Sequence, residues 1–282
     1  MGKLFHRSVG TLISGFSNLD NWVHSPRTYL MMIAVFLICF TDVSRDFFAI
    51  KMAAGSESAV NLGEELFLQS YRGFNLQLST MTFLVMMSTF PKRATFQEYC
   101  MLRSNRSRWF HGQIVYAFLM SALYIALIIL FTVLFSVLRC PAGTAWGEFF
   151  TSGEAEMSLI WIPHDFLNKT GPLAAAFQLC IPILLCWFTI CMILMLFNLL
   201  NHPGAGLAVV GMLIIFDYIF IQADVPFSPL YYACGSHMYG SDYISGETGN
   251  MLLFYLIVNA ILYILMRVRL SGMDISAEMI QE

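Results

Sequence analysis

The sequence predicts an all-α integral membrane protein, a single transmembrane domain over 1–282 with six spanning helices and both termini cytoplasmic. Three observations carry this. Hydrophobic residues make up 58% of the chain and charged residues only 12%, where a soluble chain carries about a quarter charged, and the mean hydropathy is +0.68. Residues 114–138 and 172–200 contain no charged side chain, and a bilayer core needs about 20 apolar residues to cross as a helix. Finally, Lys and Arg are unevenly shared between the connections, which sets orientation. This composition excludes a disordered, collagen-like or disulfide-scaffold protein, and a net charge of -3 argues against a nucleic-acid binder.

Along the chain, 1–25 reads as a helix lying flat in the interface. Phe5, Val9, Leu12, Phe16, Leu19 and Val23 recur at helical spacing, with Lys3, His6 and Arg7 opposite. Gly10 and Gly15 lower its helix propensity, so a frayed cytoplasmic tail is the alternative. It is no signal peptide, having neither an unbroken apolar stretch nor a small-residue cleavage site. The first span, 26–48, has a short apolar core and reaches full length only by running through Thr41, Asp42 and Arg45. The second occupies 72–90, the third 111–138 and the fourth 172–200. The fifth, 205–222, is interrupted by Asp217, and the sixth covers 250–267. With both ends inside, Lys3, Arg7, Arg27, Lys92, Arg93, Arg103, Arg106, Arg108, Arg267 and Arg269 are cytoplasmic. Arg45, Lys51, Arg72, Arg139 and Lys169 lie outside.

Between the second and third spans, Thr95 and Glu98 form a capping box, hydroxyl to amide and carboxylate back to amide, so a short helix is predicted over 94–104. Phe96, Tyr99, Cys100 and Arg103 share one face at i, i+3, i+4 spacing, ringed by Arg106 and Arg108. The bland reading is a solvated topogenic loop, which needs neither a cap nor an aromatic face.

Enzyme signatures are sparse. There is no Walker phosphate loop, no His-Glu-x-x-His and no Gly-x-Ser-x-Gly. Glu64-Glu65 followed by Gln69 approaches the paired-glutamate motif of CAAX-type membrane proteases but has glutamine where arginine belongs. An intramembrane hydrolase would draw on Glu64, Glu65, His164 or Asp217. Asp217 is the one acid well inside a span. It either marks a translocation path or sits near its helix end, hydrated from the outer vestibule, and the second reading is preferred. Seven cysteines lack metal-ligand spacing. Cys140 and Cys234 both fall outside, where a disulfide can form, though chance placement is the simpler account. The 18 methionines read as packing.

Tyr99-Cys-Met-Leu-Arg-Ser-Asn-Arg-Ser-Arg-Trp-Phe-His-Gly-Gln-Ile-Val-Tyr resembles the Leu-Arg-x-Gly-x-Arg-x-x-Trp-x-x-Gly-Gln stretch of the permease subunits of ABC-2 type (type V) ABC exporters from Gram-positive Firmicutes, with Asn105 where glycine is frequent. Phe227-Ser-Pro-Leu-Tyr-Tyr-Ala is similar to the Ser-Pro segment of their outer re-entrant helices. The resemblance implies a non-catalytic subunit of a bacterial plasma-membrane exporter, with no cofactor in this chain. ATP and Mg would sit on a separate ABC ATPase subunit, whose cleft receives a coupling helix carrying Thr95, Phe96, Glu98, Tyr99, Leu102, Arg103 and Arg106. It also implies a second permease copy or homologue, surrounding lipid, outer re-entrant helices over 223–249, and an amphipathic cargo such as a peptide, drug or lipid-like molecule. An ATP-independent channel or secondary carrier is the remaining alternative.

Overall fold

The computed structural model describes residues 25–54, 60–91, 106–141, 143, 145–151, 162, 164–222, 230, 233–234 and 247–272. Among these the regular elements are all helices: α1 (Pro26–Ala54), α2 (Leu62–Tyr71), α3 (Gly73–Met87), α4 (Arg106–Ser136), α5 (Glu148–Thr151), α6 (His164–Lys169), α7 (Pro172–Leu199), α8 (Pro203–Gln222) and α9 (Glu247–Gly272). The predicted interfacial helix, the coupling helix over 94–104 and almost all of the outer segment 223–246 lie outside the described residues.

Four helices are long and apolar enough to cross a membrane: Pro26–Arg45, Ser107–Ser136, Pro172–Leu199 and Met251–Gly272, with Pro203–Asp217 a shorter apolar one. The surface agrees. Leu30, Ile33 and Leu37 on α1, Met212, Ile215 and Phe216 on α8, and Leu256, Ile264 and Val268 on α9 are all exposed. An apolar surface this continuous has no place in water. The chain is therefore a multi-pass membrane protein.

The long helices alternate in direction along the chain, so that α7 runs opposite to α4 and α8 while α1 runs parallel to α4 and α9 parallel to α7, as the ties at each end show. At one end, Leu62 N–H donates to the Pro141 carbonyl at 3.2 Å, Asn61 Nδ2 to the Ala145 carbonyl at 2.7 Å, and Arg139 Nη1 to Ser44 Oγ at 2.8 Å. At the other, Asn198 Nδ2 donates to the Pro91 carbonyl at 3.1 Å, Arg267 Nη1 to Ser107 Oγ at 3.0 Å and Arg269 Nε to the Leu199 carbonyl at 3.4 Å. α7 is the hub, packed on α2, α4, α8 and α9. Its Leu179, Cys186, Trp187 and Met195 are fully buried. The α1–α4 seam is aromatic, with Phe36 edge-on to Phe135 at 4.9 Å and Phe40 to Phe135 at 5.4 Å.

The third and fourth spans fall within a few residues of α4 and α7, although Arg106, assigned to the coupling helix, is the first residue of α4. The second differs more. α3 ends at Met87 and has 15 residues, about 22 Å of helix. It is preceded, after a break at the extended Arg72, by a helix, α2, in a stretch that the sequence reading leaves in the outer loop. Glu64, Glu65 and Gln69 give α2 a loop-like composition. The local signal is Asn61-x-x-Glu64, a capping box in which the Asn61 side chain accepts from the Glu64 amide at 3.0 Å and Glu64 returns to the Asn61 amide at 2.8 Å.

α7 passes into α8 through a tight turn. Asn201 is left-handed (φ 62), Asn201 N–H bonds the Asn198 carbonyl and His202 N–H the Phe197 carbonyl, both at 3.0 Å. This is the Schellman arrangement, with Asn in the position glycine usually fills, and Pro203 then opens α8. Gly204, Ala208 and Gly211 are the small residues of this region that the sequence suggests for close packing. A Cβ added at Gly204 or Gly211 meets nothing within 4 Å, whereas at Gly206 it would lie 2.8 Å from Phe197 Cβ. Gly206→Val should therefore destabilise the chain by about 1–3 kcal/mol through overpacking, and Gly204→Val and Gly211→Val should leave unfolding unchanged. Detergent-unfolding curves followed by far-UV circular dichroism would read the difference.

Candidate functional site

Three features bear on function: a buried acidic helix at one end, a cavity at the α2–α3 break, and a basic rim at the other end. α2 is enclosed almost completely, with Gly63 to Gln69 and Tyr71 all buried. It lies against α7, α4 and α1, and Trp146 packs onto it from outside the helices. Phe67 meets Trp146 edge-on at 5.2 Å, Trp146 continues to Phe150 at 5.0 Å, and Trp146 Nε1 donates to the Thr170 carbonyl at 2.6 Å. Gly63 permits the approach of α7, since a Cβ there would come within 3.3 Å of Pro172 and Leu173.

Glu64 and Glu65 are thus not on an exposed outer loop; they are 0% and 1% exposed. The Glu64 carboxylate accepts from the amides of Asn61 and Gly147, beyond the ends of α4 and α7. Burial pushes its carboxyl above the usual range, partly offset by those two amides. A Cβ at Gly147 would stand 3.3 Å from both carboxylate oxygens, so glycine is what lets the backbone approach. Bonds of this kind fasten a loop to a helix. His164, the histidine of the hydrolase reading, opens α6. No group of three or more His, Cys, Asp or Glu among the described residues is arranged to hold a metal ion.

Asp217 also departs from expectation. Instead of sitting hydrated near its helix end, it is 0% exposed. It lies on the buried face of α8, a helix packed on α7 and α3. Its distance from Gln222 along the chain suggested hydration, but angular position around the helix decides burial. Cys140 and Cys234 are not joined by a disulfide; Cys234 is buried with its Sγ 3.9 Å from the Tyr71 carbonyl oxygen.

The cavity, about 30 Å³, opens between the α2–α3 break, α4 and α7. Gln69, Ser70 and Ser79 line one side and Ile128, Ile183 and Trp187 the other. Around it the helices are held by interior polar bonds. Tyr124 Oη donates to the Ser79 carbonyl at 2.9 Å, and Trp187 Nε1 to Thr80 Oγ1 at 3.0 Å. Lower down, Asn259 Nδ2 donates to Thr189 Oγ1 at 2.9 Å. Sequence reasoning missed this cavity, because the break that forms it leaves no mark beyond Gly73.

At the opposite end, Arg267 and Arg269 are tied to Ser107 and Leu199, and Arg108 is exposed. The linker 92–105 leaves from Pro91 and returns at Arg106, both at this basic end. Its residues Thr95, Phe96, Glu98, Tyr99, Leu102 and Arg103, the predicted ATPase contacts, lie outside the described residues. No family model matches the chain, and no curated protein or solved structure matches it either.

Proposed function

We propose that the chain is the non-catalytic permease of an ATP-driven ABC-2 type exporter, working beside a second permease copy or homologue and an ABC ATPase in a bacterial plasma membrane. In this reading six spans cross the bilayer: α1, α3 extended by the end of α2, α4, α7, α8 and α9, with the basic end and both termini cytoplasmic. The sequence count, with ten of the 15 Lys and Arg on the side taken as cytoplasmic, supports that orientation. The resemblance of residues 99–116 and 227–233 to such permeases supplies the family.

One observation carries the coupling argument. Of the two helix-to-helix connections at the basic end, α7–α8 is closed by the turn at Leu200 to His202, so only 92–105 is long enough to project toward a cytoplasmic partner. Its root is anchored: Asn198 on the hub helix α7 holds the Phe90 and Pro91 carbonyls at 3.4 and 3.1 Å. A push on the linker is thereby passed to α3 and α7 together. ATP and Mg belong to the partner ATPase, and the missing Walker motif fits that division of labour. The cargo is amphipathic, and lipid surrounds the exposed apolar faces.

Replacing residues 95–103 by a Gly-Ser linker should abolish ATP-dependent efflux of a fluorescent amphiphile and release the ATPase on purification, while the permease still inserts. Efflux that persists, with the ATPase still bound, sinks the proposal. A second reading, an ATP-independent carrier, draws on the fully buried Asp217, since interior carboxylates often mark ion paths. Purification without any ATPase, together with ion-driven flux lost in Asp217→Asn, would select it.

A further inference from the structure

We propose that the junction of α4 and α9 at the basic end holds the phosphate of an anionic glycerophospholipid, with Arg267 and Arg108 as its cationic partners. The inference needs only that α4 and α9 cross a bilayer, and it is independent of the exporter reading.

Four side chains bridge the two helices. Ser107 and His111 stand one turn apart on α4, and Tyr263 and Arg267 one turn apart on α9. Arg267 Nη1 donates to Ser107 Oγ at 3.0 Å. His111 Nδ1 lies 2.5 Å from the Ser107 carbonyl oxygen, which only accepts. The neutral ring therefore carries its proton on Nδ1, and Nε2 accepts from Tyr263 Oη at 3.2 Å. Phe110 completes the contact, 5.4 Å from the Tyr263 ring. The His111–Tyr263 rung joins the helices, and the Ser107–Arg267 rung holds the guanidinium at the first turn of α4. Its geometry is thus set before any ligand arrives, which lowers the entropy cost of binding.

The held cation has no anion. A guanidinium carries about five N–H donors, and the bond to Ser107 is the one that Arg267 makes among the described residues. Arg267 and Arg108 are both exposed, and neither has a carboxylate partner there. The described acids stand toward the other end: on α2, α5 and α6, on the second half of α1 and at the start of α9. Asp217 is about 20 Å up α8 from its first residue.

Depth points to a lipid as the source of the phosphate. Inward from Arg108 and Arg267, α4 and α9 run on without a Lys, Arg, Asp or Glu through Ser136 and back to Thr248, so both arginines stand where hydrocarbon gives way to headgroups. Apolar surface lies on the same helix sides. Phe118, at i+7 from His111, is 46% exposed, and Ile264 and Leu256, at i−3 and i−11 from Arg267, are 58% and 68% exposed. Acyl chains cover these side chains while the phosphate meets the arginines. A guanidinium takes two phosphate oxygens at once, and basic sites between membrane helices suit anionic headgroups. A choline headgroup would bring its own cation toward the two arginines, so a lipid whose sole charge is the phosphate is preferred.

Native mass spectrometry of the full chain in detergent, titrated with phosphatidylglycerol or phosphatidylcholine, tests the site. Phosphatidylglycerol should bind at least about fivefold more tightly than phosphatidylcholine. Arg267→Gln should weaken phosphatidylglycerol by about tenfold or more, the worth of one charge-assisted hydrogen bond, and Arg267→Lys should restore only part of it, having lost the planar fork. Arg108→Gln, which disturbs no bond of the fold, should also weaken it and guards against misfolding of the first variant. Arg45→Gln removes the same charge from the other end and should leave the lipid preference intact. Inorganic phosphate in large excess should not displace the lipid. The proposal is overturned if the two lipids bind alike, if Arg267→Gln and Arg108→Gln both keep the wild-type preference, or if Arg45→Gln abolishes it equally. Displacement by inorganic phosphate would also overturn it, marking a site for the free anion.

Discussion

Trp187→Ala is expected to lower the unfolding free energy by about 3–5 kcal/mol, the range for removing a large aromatic side chain from a packed core. Trp187 is 1% exposed on the hub helix α7. Its ring stacks on Phe83 at 5.4 Å and meets Tyr124 edge-on at 4.7 Å, so one side chain joins α3, α4 and α7. The indole N–H bond to Thr80 and the Tyr124 bond to the Ser79 carbonyl fix the geometry from both sides. In a membrane such packing and polar ties hold helices together, since lipid supplies no hydrophobic drive between them. Trp187→Phe keeps the stack and loses the Thr80 bond, so it should cost about 1–2 kcal/mol. Chemical unfolding followed by far-UV circular dichroism separates these outcomes; a loss below about 1 kcal/mol in the alanine variant, typical of a surface site, would show that the three rings are not a structural core.

Glu64→Ala should cost about 2–4 kcal/mol, because two backbone amides lose the carboxylate that satisfies them in a buried place. The pH dependence gives a sharper test. Burial raises the Glu64 carboxyl above its unfolded value of 4.5, so the folded chain keeps a proton that the unfolded chain releases. That stabilisation is complete below pH 4.5 and is lost as pH rises through the raised value. Glu64→Gln, an uncharged carboxyl look-alike, should remove this component. Unfolding midpoints measured from pH 4.5 upward should fall more steeply in the wild-type chain than in the Gln variant. Parallel slopes would refute a raised Glu64.

Much of the helical frame was legible because charge is costly in a bilayer. The stretches containing α4 and α7 carry no charge through their centres and could be read by inspection. α2 was not legible in that way. It is a buried helix carrying Glu64, Glu65 and Gln69, and averaging hydropathy over its length hides it; only the Asn61–Glu64 capping pair announces where it starts. The polar groups survive burial through partners distant in the sequence, Gly147 for Glu64 and Asp42 for Gln69. The cavity was hidden for the same reason, since it depends on a break at Arg72 and on helices drawn from three parts of the chain. Gly206 shows a smaller version: sequence marks several small residues alike, and only the approach of Phe197 singles one out.

The enclosure of α2 has a consequence for biosynthesis. Several of the residues that bury it come later in the chain: Gly147 binds Glu64, Trp146 covers Phe67, and Pro172 abuts Gly63. When α2 leaves the ribosome none of these exists, so its two glutamates must wait in contact with water or the insertion machinery until α4 and α7 have been made. Seating α2 is therefore a late step of assembly, taken after its neighbours are threaded. A nascent chain halted before residue 146 carries an acidic helix that still lacks Trp146, Gly147 and α7 around it.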